Sequence, residues 1–179
     1  MGPSGLSCIS ASNAAFPLET PRFRLRPLTP DDATPRYASW MRDPAVQRWI
    51  ETAASTEEIE PLRTYIAERC CRDDVLFLGI FDRESGLHVG NIKFEPIDSE
   101  AKSAVLGVLI GESDYRGRGV FGEILQATAA LLSRAHGVER ILLGVRGGNH
   151  AALKAYRASG FVQEGEHTAN GDLWMVLHV

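Results

Sequence analysis

The sequence predicts an α/β chain of the mixed α+β kind: one domain with a central, mostly antiparallel mixed sheet flanked by helices. Three observations predict it. Apolar runs at residues 75–81, 88–94 and 104–110 are separated only by short, turn-rich links, as in an antiparallel meander. After the third run the pattern changes to helix, strand, helix and strand, an alternation that brings in a parallel crossover. The chain has 179 residues, 44% of them hydrophobic and 23% charged, which suits one self-supporting core rather than two.

Each element has its own signal. Arg22-Phe23-Arg24-Leu25-Arg26-Pro27-Leu28 alternates polar and apolar residues, giving a strand with one wet face. Thr29-Pro30-Asp31-Asp32 offers a cap, a first-turn proline and early acids for a helix with Tyr37, Trp40 and Met41 on its apolar face and Pro35 near its start. Asp43-Pro44 opens a short helix ending near residue 50, and Ser55-Thr56-Glu57-Glu58 opens another that ends near residue 71 and carries Pro61 early. Beyond the three strands, Phe121, Ile124, Leu125, Thr128, Leu131, Leu132 and Ala135 fall three and four apart, a helix closed at His136-Gly137. Residues 140–145 read as a buried strand, 149–159 as a helix stopped by Gly160, and 161–166 as a strand. Asn170-Gly171 is a hairpin turn into a final strand at 173–178. Residues 1–17 are expected to form a flexible leader to a domain at 18–179.

Composition narrows the function classes. A net charge of −4 does not suit a nucleic-acid binder, and the apolar runs are too short to cross a bilayer. Cys8, Cys70 and Cys71 are odd in number and lack metal-ligand spacing, so neither a disulfide framework nor a metal site is expected; a reducing cytoplasm fits. The leader has no basic start followed by an apolar segment, unlike a signal peptide.

The strongest chemical signal is the passage from the third apolar run into Glu112-Ser113-Asp114-Tyr115-Arg116-Gly117-Arg118-Gly119-Val120-Phe121-Gly122. Glycines let the backbone approach a ligand and take positive φ, while N–H groups of the turn and of the following helix converge on negative charge. Arg116 and Arg118 supply donors suited to phosphate oxygens. The segment 117–122 fits G-x-G-x-x-G, but the next strand ends in Arg146-Gly147-Gly148 without a ribose-binding acid, and too little chain follows to complete a parallel dinucleotide sheet. Arg146 would there meet a 2′-phosphate. The Walker pattern is absent. Taken alone, the turn also fits a plain strand–turn–helix with solvated arginines.

A second motif separates these readings. Arg116-Gly117-Arg118-Gly119 resembles the acetyl-CoA pyrophosphate loop of GNAT N-acetyltransferases, R/Q-x-x-G-x-G/A. Asn149-His150-Ala151-Ala152-Leu153-Lys154-Ala155-Tyr156-Arg157-Ala158-Ser159-Gly160-Phe161 is similar to that family's N-x-x-A-x-x-x-Y-x-x-x-G-F segment, in the same order and separation. Residues 24–32 and 42–46 resemble the branch containing ribosomal-protein alanine acetyltransferases, and residues 89–93 and 106–111 resemble members acting on amino sugars. The resemblance spans about residues 23–179. The chain departs from the pattern at Phe121, where the family has a small residue, and at Val105, in a stretch where relatives often carry an acid.

The resemblance implies that acetyl-CoA, as cosubstrate and without a metal, binds at Val108, Leu109, Ile110, Arg116, Gly117, Arg118, Gly119, Val120, Phe121, Gly122, Asn149 and Tyr156. Its partner is a primary amine: an amino sugar, a small amine or a protein N-terminus, with a homodimer left open. Backbone N–H groups of residues 108–110 would meet the oxyanion. Tyr156, two helical turns after Asn149, would protonate the departing thiolate. An alkylammonium with a pKa of about 10.4 must first lose a proton, and Glu95, at a strand end beside the expected groove, is the candidate base. Histidine is a residue type able to change charge near neutrality, but His88 and His150 are expected at turns or caps, and Trp40, Trp49 and Trp174 are either pocket or core. The rival expectations are a non-catalytic acyl-CoA-binding regulatory module and a transferase using another acyl donor.

Overall fold

Alternation along residues 22–28 buries Phe23 and Leu25 in strand β2 (Phe23–Pro27). In the computed structural model, which describes residues 16–51, 55–165 and 171–179, this strand joins an eight-stranded mixed sheet. It pairs on one side with a two-residue strand, β1 (Leu18–Glu19), which periodicity did not announce. On the other side follow β3 (Leu76–Asp82), β4 (His88–Asp98) and β5 (Ser103–Ile110), the expected antiparallel meander.

The helix expected from Thr29 divides in two. Pro30–Asp32 forms a single 3-10 turn, and α1 (Pro35–Arg42) starts afresh at Pro35, capped by Thr34, whose hydroxyl accepts from the Tyr37 N–H. Proline has no N–H to donate and its ring clashes with the carbonyl four residues back, so it begins a helix rather than continuing one. Asp43 then caps α2 (Pro44–Gln47). The next helix, α3 (Ile59–Cys70), starts after the Ser55 signal and keeps Pro61 in its first turn, where the missing donor costs nothing.

The 17-residue helix α4 (Val120–His136) ends at Gly137, which has the left-handed φ of 64° that a glycine tolerates. It leads to β6 (Arg140–Arg146), which pairs parallel with β5, the only parallel pair among the described residues. The chain continues through α5 (His150–Ala158), β7 (Val162–Glu164) and β8 (Asp172–His178), and β8 is inserted between β6 and β7. Asn170 of the expected hairpin turn lies outside the described residues, as do Cys8 and most of the expected leader.

Two cores result, one on each face. Leu76, Leu78 and Ile80 pack with Ile124, Leu125 and Leu132 of α4 and Leu153 of α5, while Val75 and Phe77 pack with Tyr37, Trp40, Leu62 and Ile66 of α1 and α3. The alternation of one strand therefore feeds both layers. No helix among the described residues is long and apolar enough to cross a membrane.

Candidate active site

The site begins where two strands part. β5 and β6 pair only at Ser103↔Arg140, Ala104↔Ile141 and Val105↔Leu142, and beyond these their carboxyl ends diverge. Between them opens a cavity of about 540 Å³, lined by Leu106, Gly107, Val108 and Leu109 on one side and Gly144, Val145 and Arg146 on the other. The Gly111 N–H donates to the Val89 carbonyl of the neighbouring strand at 2.9 Å. Antiparallel alternation then turns the N–H groups of Val108 and Ile110 away from β4 and toward the opening. Unpaired strand edges of this kind accept an extended ligand as they would another strand.

β5 leads directly to the glycine turn. Gly117 has φ 72° and Gly119 has φ 71°, both left-handed, and Gly119 is the N-cap of α4. The cap has no side-chain acceptor, so the first-turn N–H groups of a long helix face outward with the positive end of its dipole. Val120 and Phe121 are buried. A Cβ at Gly122 would meet nothing closer than Ser159 Oγ at 3.6 Å. Arg118 is exposed, and no ion pair holds it among the described residues.

Arg116 requires a correction. Its guanidinium is turned away from the cradle: Nε donates to the Ile110 carbonyl at 2.9 Å, while Nη2 donates to the Gly111 carbonyl at 2.7 Å and to Asp43 Oδ2 at 2.9 Å. A side chain spent on three acceptors is no free phosphate ligand, and of the two arginines only Arg118 is available.

From the far side α5 brings Asn149 and Tyr156 to the cavity. Asn149 caps the helix, accepting from the Ala152 N–H at 3.2 Å. Tyr156 packs edge-on against Phe121, with ring centroids 5.1 Å apart, and both touch Phe161. Phe121 therefore leaves the loop by turning inward as a wall for Tyr156. Burial pushes the Tyr156 hydroxyl above the usual phenol range, so it stays protonated and can donate.

Glu95 is not brought to the cavity. Burial alone would raise its carboxyl, but Lys93 at 2.5 Å and Arg69 at 3.0 Å outweigh this and hold it below the ordinary range, and Arg72 also makes a close contact with it. A carboxylate so fastened binds protons poorly, so the expectation of Glu95 as base does not fit its surroundings. Lys93 itself lines the cavity, and its Nζ donates to the Tyr65 hydroxyl at 2.8 Å; above it, Asn91 Nδ2 donates to the buried Tyr37 hydroxyl at 2.8 Å. Sequence reasoning missed these paired walls, although Asn91 and Lys93 share the period-two face of one strand. Trp49 and Trp174 line the cavity, whereas Trp40 is core at 4% exposure. His150 is the exposed first residue of α5, and His88 stacks on Phe81 among Trp40 and Tyr37. Ile110 does not line the cavity; its carbonyl is held by Arg116.

A splayed parallel pair whose first strand runs on into a glycine-capped helix defines a class, and the comparisons agree with it. The chain belongs to the GNAT acetyltransferase family: residues 22–162 match the family described as Acetyltransferase (GNAT) domain. Among solved structures it resembles RimL, a ribosomal L7/L12 α-N-protein acetyltransferase in complex with coenzyme A, with TM-score 0.78, 18% identity, and coverage of 91% of this chain and 97% of that one. It also resembles the microcin C7 self-immunity acetyltransferase MccE in complex with acetyl-CoA and AMP, with TM-score 0.76, 15% identity, and coverage of 89% and 93%. The ribosomal-protein-S5-alanine acetyltransferase of Vibrio fischeri gives TM-score 0.74 and 17% identity, covering 89% and 94%. At these identities the likeness is one of fold. No curated protein sequence matches the chain significantly.

Proposed function

We propose that this chain transfers the acetyl group of acetyl-CoA directly to a primary amine within a ternary complex. The observation that carries the reading is that one cavity is lined by both the free edge of β5 and the Asn149–Tyr156 face of α5, while β5 runs on through the glycine turn into the start of α4, which has no side-chain cap. The diphosphate of acetyl-CoA would lie against the N–H groups of residues 117–122, with Arg118 beside it. Its extended arm would run along the edge of Leu106 to Ile110. The amine nitrogen attacks the thioester carbonyl carbon, whose oxygen meets the Val108 N–H as charge develops on it. The carbon–sulfur bond breaks, the departing thiolate takes the Tyr156 proton, and the proton that the attacking nitrogen sheds as the amide forms returns through the cleft to the phenolate. With Glu95 ionised and outside the cavity, the ammonium proton leaves to water in the cleft. Acetyl transfer of this kind needs no covalent enzyme intermediate.

The acceptor class rests on kinship in fold: the structures it resembles include ribosomal-protein acetyltransferases, which supports a protein N-terminus beside amino sugars and small amines. Calorimetric titration with acetyl-CoA, followed by release of free CoA thiol across a panel of peptides, amino sugars and polyamines, tests the proposal. Saturable binding together with amine-dependent thiol release is the expected result. Absence of binding at millimolar acetyl-CoA overturns it, and binding without release across the panel would make the chain an acyl-CoA-binding module.

A further inference from the structure

The short helix α2 and the residues after it, 43–51, are tied at both ends to strands that the sheet itself leaves apart. At the β5 end, Asp43 Oδ2 accepts from Arg116 at 2.9 Å while Asp43 Oδ1 accepts from the Ala45 N–H at 2.9 Å, so one carboxylate caps α2 and fastens it. The same arginine holds the carbonyls of Ile110 and Gly111, the last residues before the glycine turn. At the β6 end, Arg146 Nη1 donates to the Arg48 carbonyl at 2.9 Å and Nη2 reaches Glu51 Oε1 at 3.4 Å. Arg116 thus fastens the segment to the residues at the end of β5, and Arg146, which itself lines the cavity, fastens it to the end of β6; the helical stretch between Asp43 and Arg48 covers about 7 Å. Immediately beyond it, Trp49, Ile50 and Glu51 line the cavity, with the tip of the Trp49 ring 3.7 Å from where a Gly148 Cβ would sit.

A four-residue helix has no stability of its own, because its first turn costs more order than its few hydrogen bonds return. What keeps it across the opening must be external. Val46 supplies one buried anchor, and the two arginines supply the polar ones. Neither pair is an ordinary exposed ion pair, since each arginine also binds at least one backbone carbonyl, a fixed acceptor.

We infer that Arg116 and Arg146 are positioning residues that hold α2 as a strap across the mouth of the cleft and so set the outer wall of the acceptor chamber, including Trp49, without helping to bind acetyl-CoA. The inference rests on reading the splay as the transfer site. It gives both arginines, which the sequence offered to phosphate groups, a task on the amine side. Loosening either tie opens the chamber to solvent and leaves the diphosphate cradle intact.

The test uses the full chain carrying Trp174→Phe, so that Trp49 and the buried Trp40 are its only tryptophans. Into it are placed Asp43→Asn, which retains a side-chain cap but removes the charge facing Arg116, and separately Arg146→Met and Arg146→Lys. Acrylamide quenching reports the exposure of Trp49, and calorimetry reports acetyl-CoA affinity. The quenching constant is expected to rise about twofold or more in Asp43→Asn and Arg146→Met, and to return to the parent value in Arg146→Lys, which keeps a donor for the Arg48 carbonyl. Acetyl-CoA affinity is expected to stay within about twofold throughout. Unchanged quenching in both Asp43→Asn and Arg146→Met overturns the inference, as does a loss of acetyl-CoA affinity that parallels the rise in quenching. If the parent chain does not bind acetyl-CoA at all, the proposed function falls while the quenching result still decides whether the strap exists.

Discussion

Tyr156 and Gly122 carry the most testable chemistry at the scale of single residues. A phenol held protonated by burial in the cavity wall is suited to donating to a leaving thiolate. Replacing Tyr156 with phenylalanine should lower kcat by about a hundredfold, a usual effect of losing a general acid, with little change in acetyl-CoA affinity. Steady-state thiol release and calorimetry on the same preparation separate the two. Gly122 has ordinary space around a would-be Cβ and stands in the first turn of α4, so Gly122→Ala should stabilise the free protein by about 0.5–1 kcal/mol. In the proposed complex the added methyl group also narrows the approach of the diphosphate to the turn, so acetyl-CoA binding should weaken. Urea unfolding and titration moving in opposite directions is the expected pair of results; unchanged affinity would remove Gly122 from the cradle. Both were singled out in the sequence, Tyr156 by the spaced segment that begins at Asn149 and Gly122 by the glycine turn. The loss of Arg116 to Asp43 was not, because that contact joins residues 73 apart and depends on where α1 places its end.

Among elements, the seam between α1 and β5 fixes where the cofactor turn begins. A Cβ on Gly111 would lie 2.0 Å from the Trp40 ring, and Trp40 Nε1 donates to Glu112 at 2.8 Å, so the indole is pressed onto the strand end and pinned there. Gly111→Ala should therefore cost roughly 1–3 kcal/mol, the range for overpacking, and weaken acetyl-CoA binding by shifting the turn. Urea midpoints and titration check both, and a neutral substitution would show that α1 yields freely. The order of strands and helices was legible from period and punctuation, because each strand alternates and each long helix has a capping or closing residue. Less legible were features that depend on partners distant in sequence: the two-residue β1, the division of the first helix at Pro35, and the parting of β5 from β6, which creates the cavity. Trp40 and Trp49 show the same limit within one segment, since identical side chains nine residues apart became core and chamber wall.

For the whole molecule, the clearest consequence is a dependence of stability on pH. Burial among aromatic rings pushes His88 down to about 4 from 6.5, against the pull of Asp32, and its Nε2 has no partner among the described residues. Between those two values the unfolded chain takes up a proton that the folded chain refuses, so stability falls as pH drops through this window, by roughly 3 kcal/mol at most. His136, lowered by its own burial, acts in the same direction. Glu95, Glu112 and Glu123 are held below their ordinary value of 4.5, so their contribution is complete above that pH and is lost only as pH falls further. Urea unfolding at pH 5.0 and 7.5 should show the histidine slope, and His88→Phe should remove most of it; an unaltered slope would place its origin elsewhere.

The central claim is that a diphosphate rests on the amides of the glycine turn while its thioester arm enters the splay toward Tyr156. The most direct measurement is a crystal structure grown with CoA. Phosphate oxygens are expected within hydrogen-bond distance of N–H groups in residues 117–122, with the sulfur lying between the Val108 edge and the Tyr156 hydroxyl. A fully occupied CoA bound elsewhere, with this crevice closed by side chains, would contradict it.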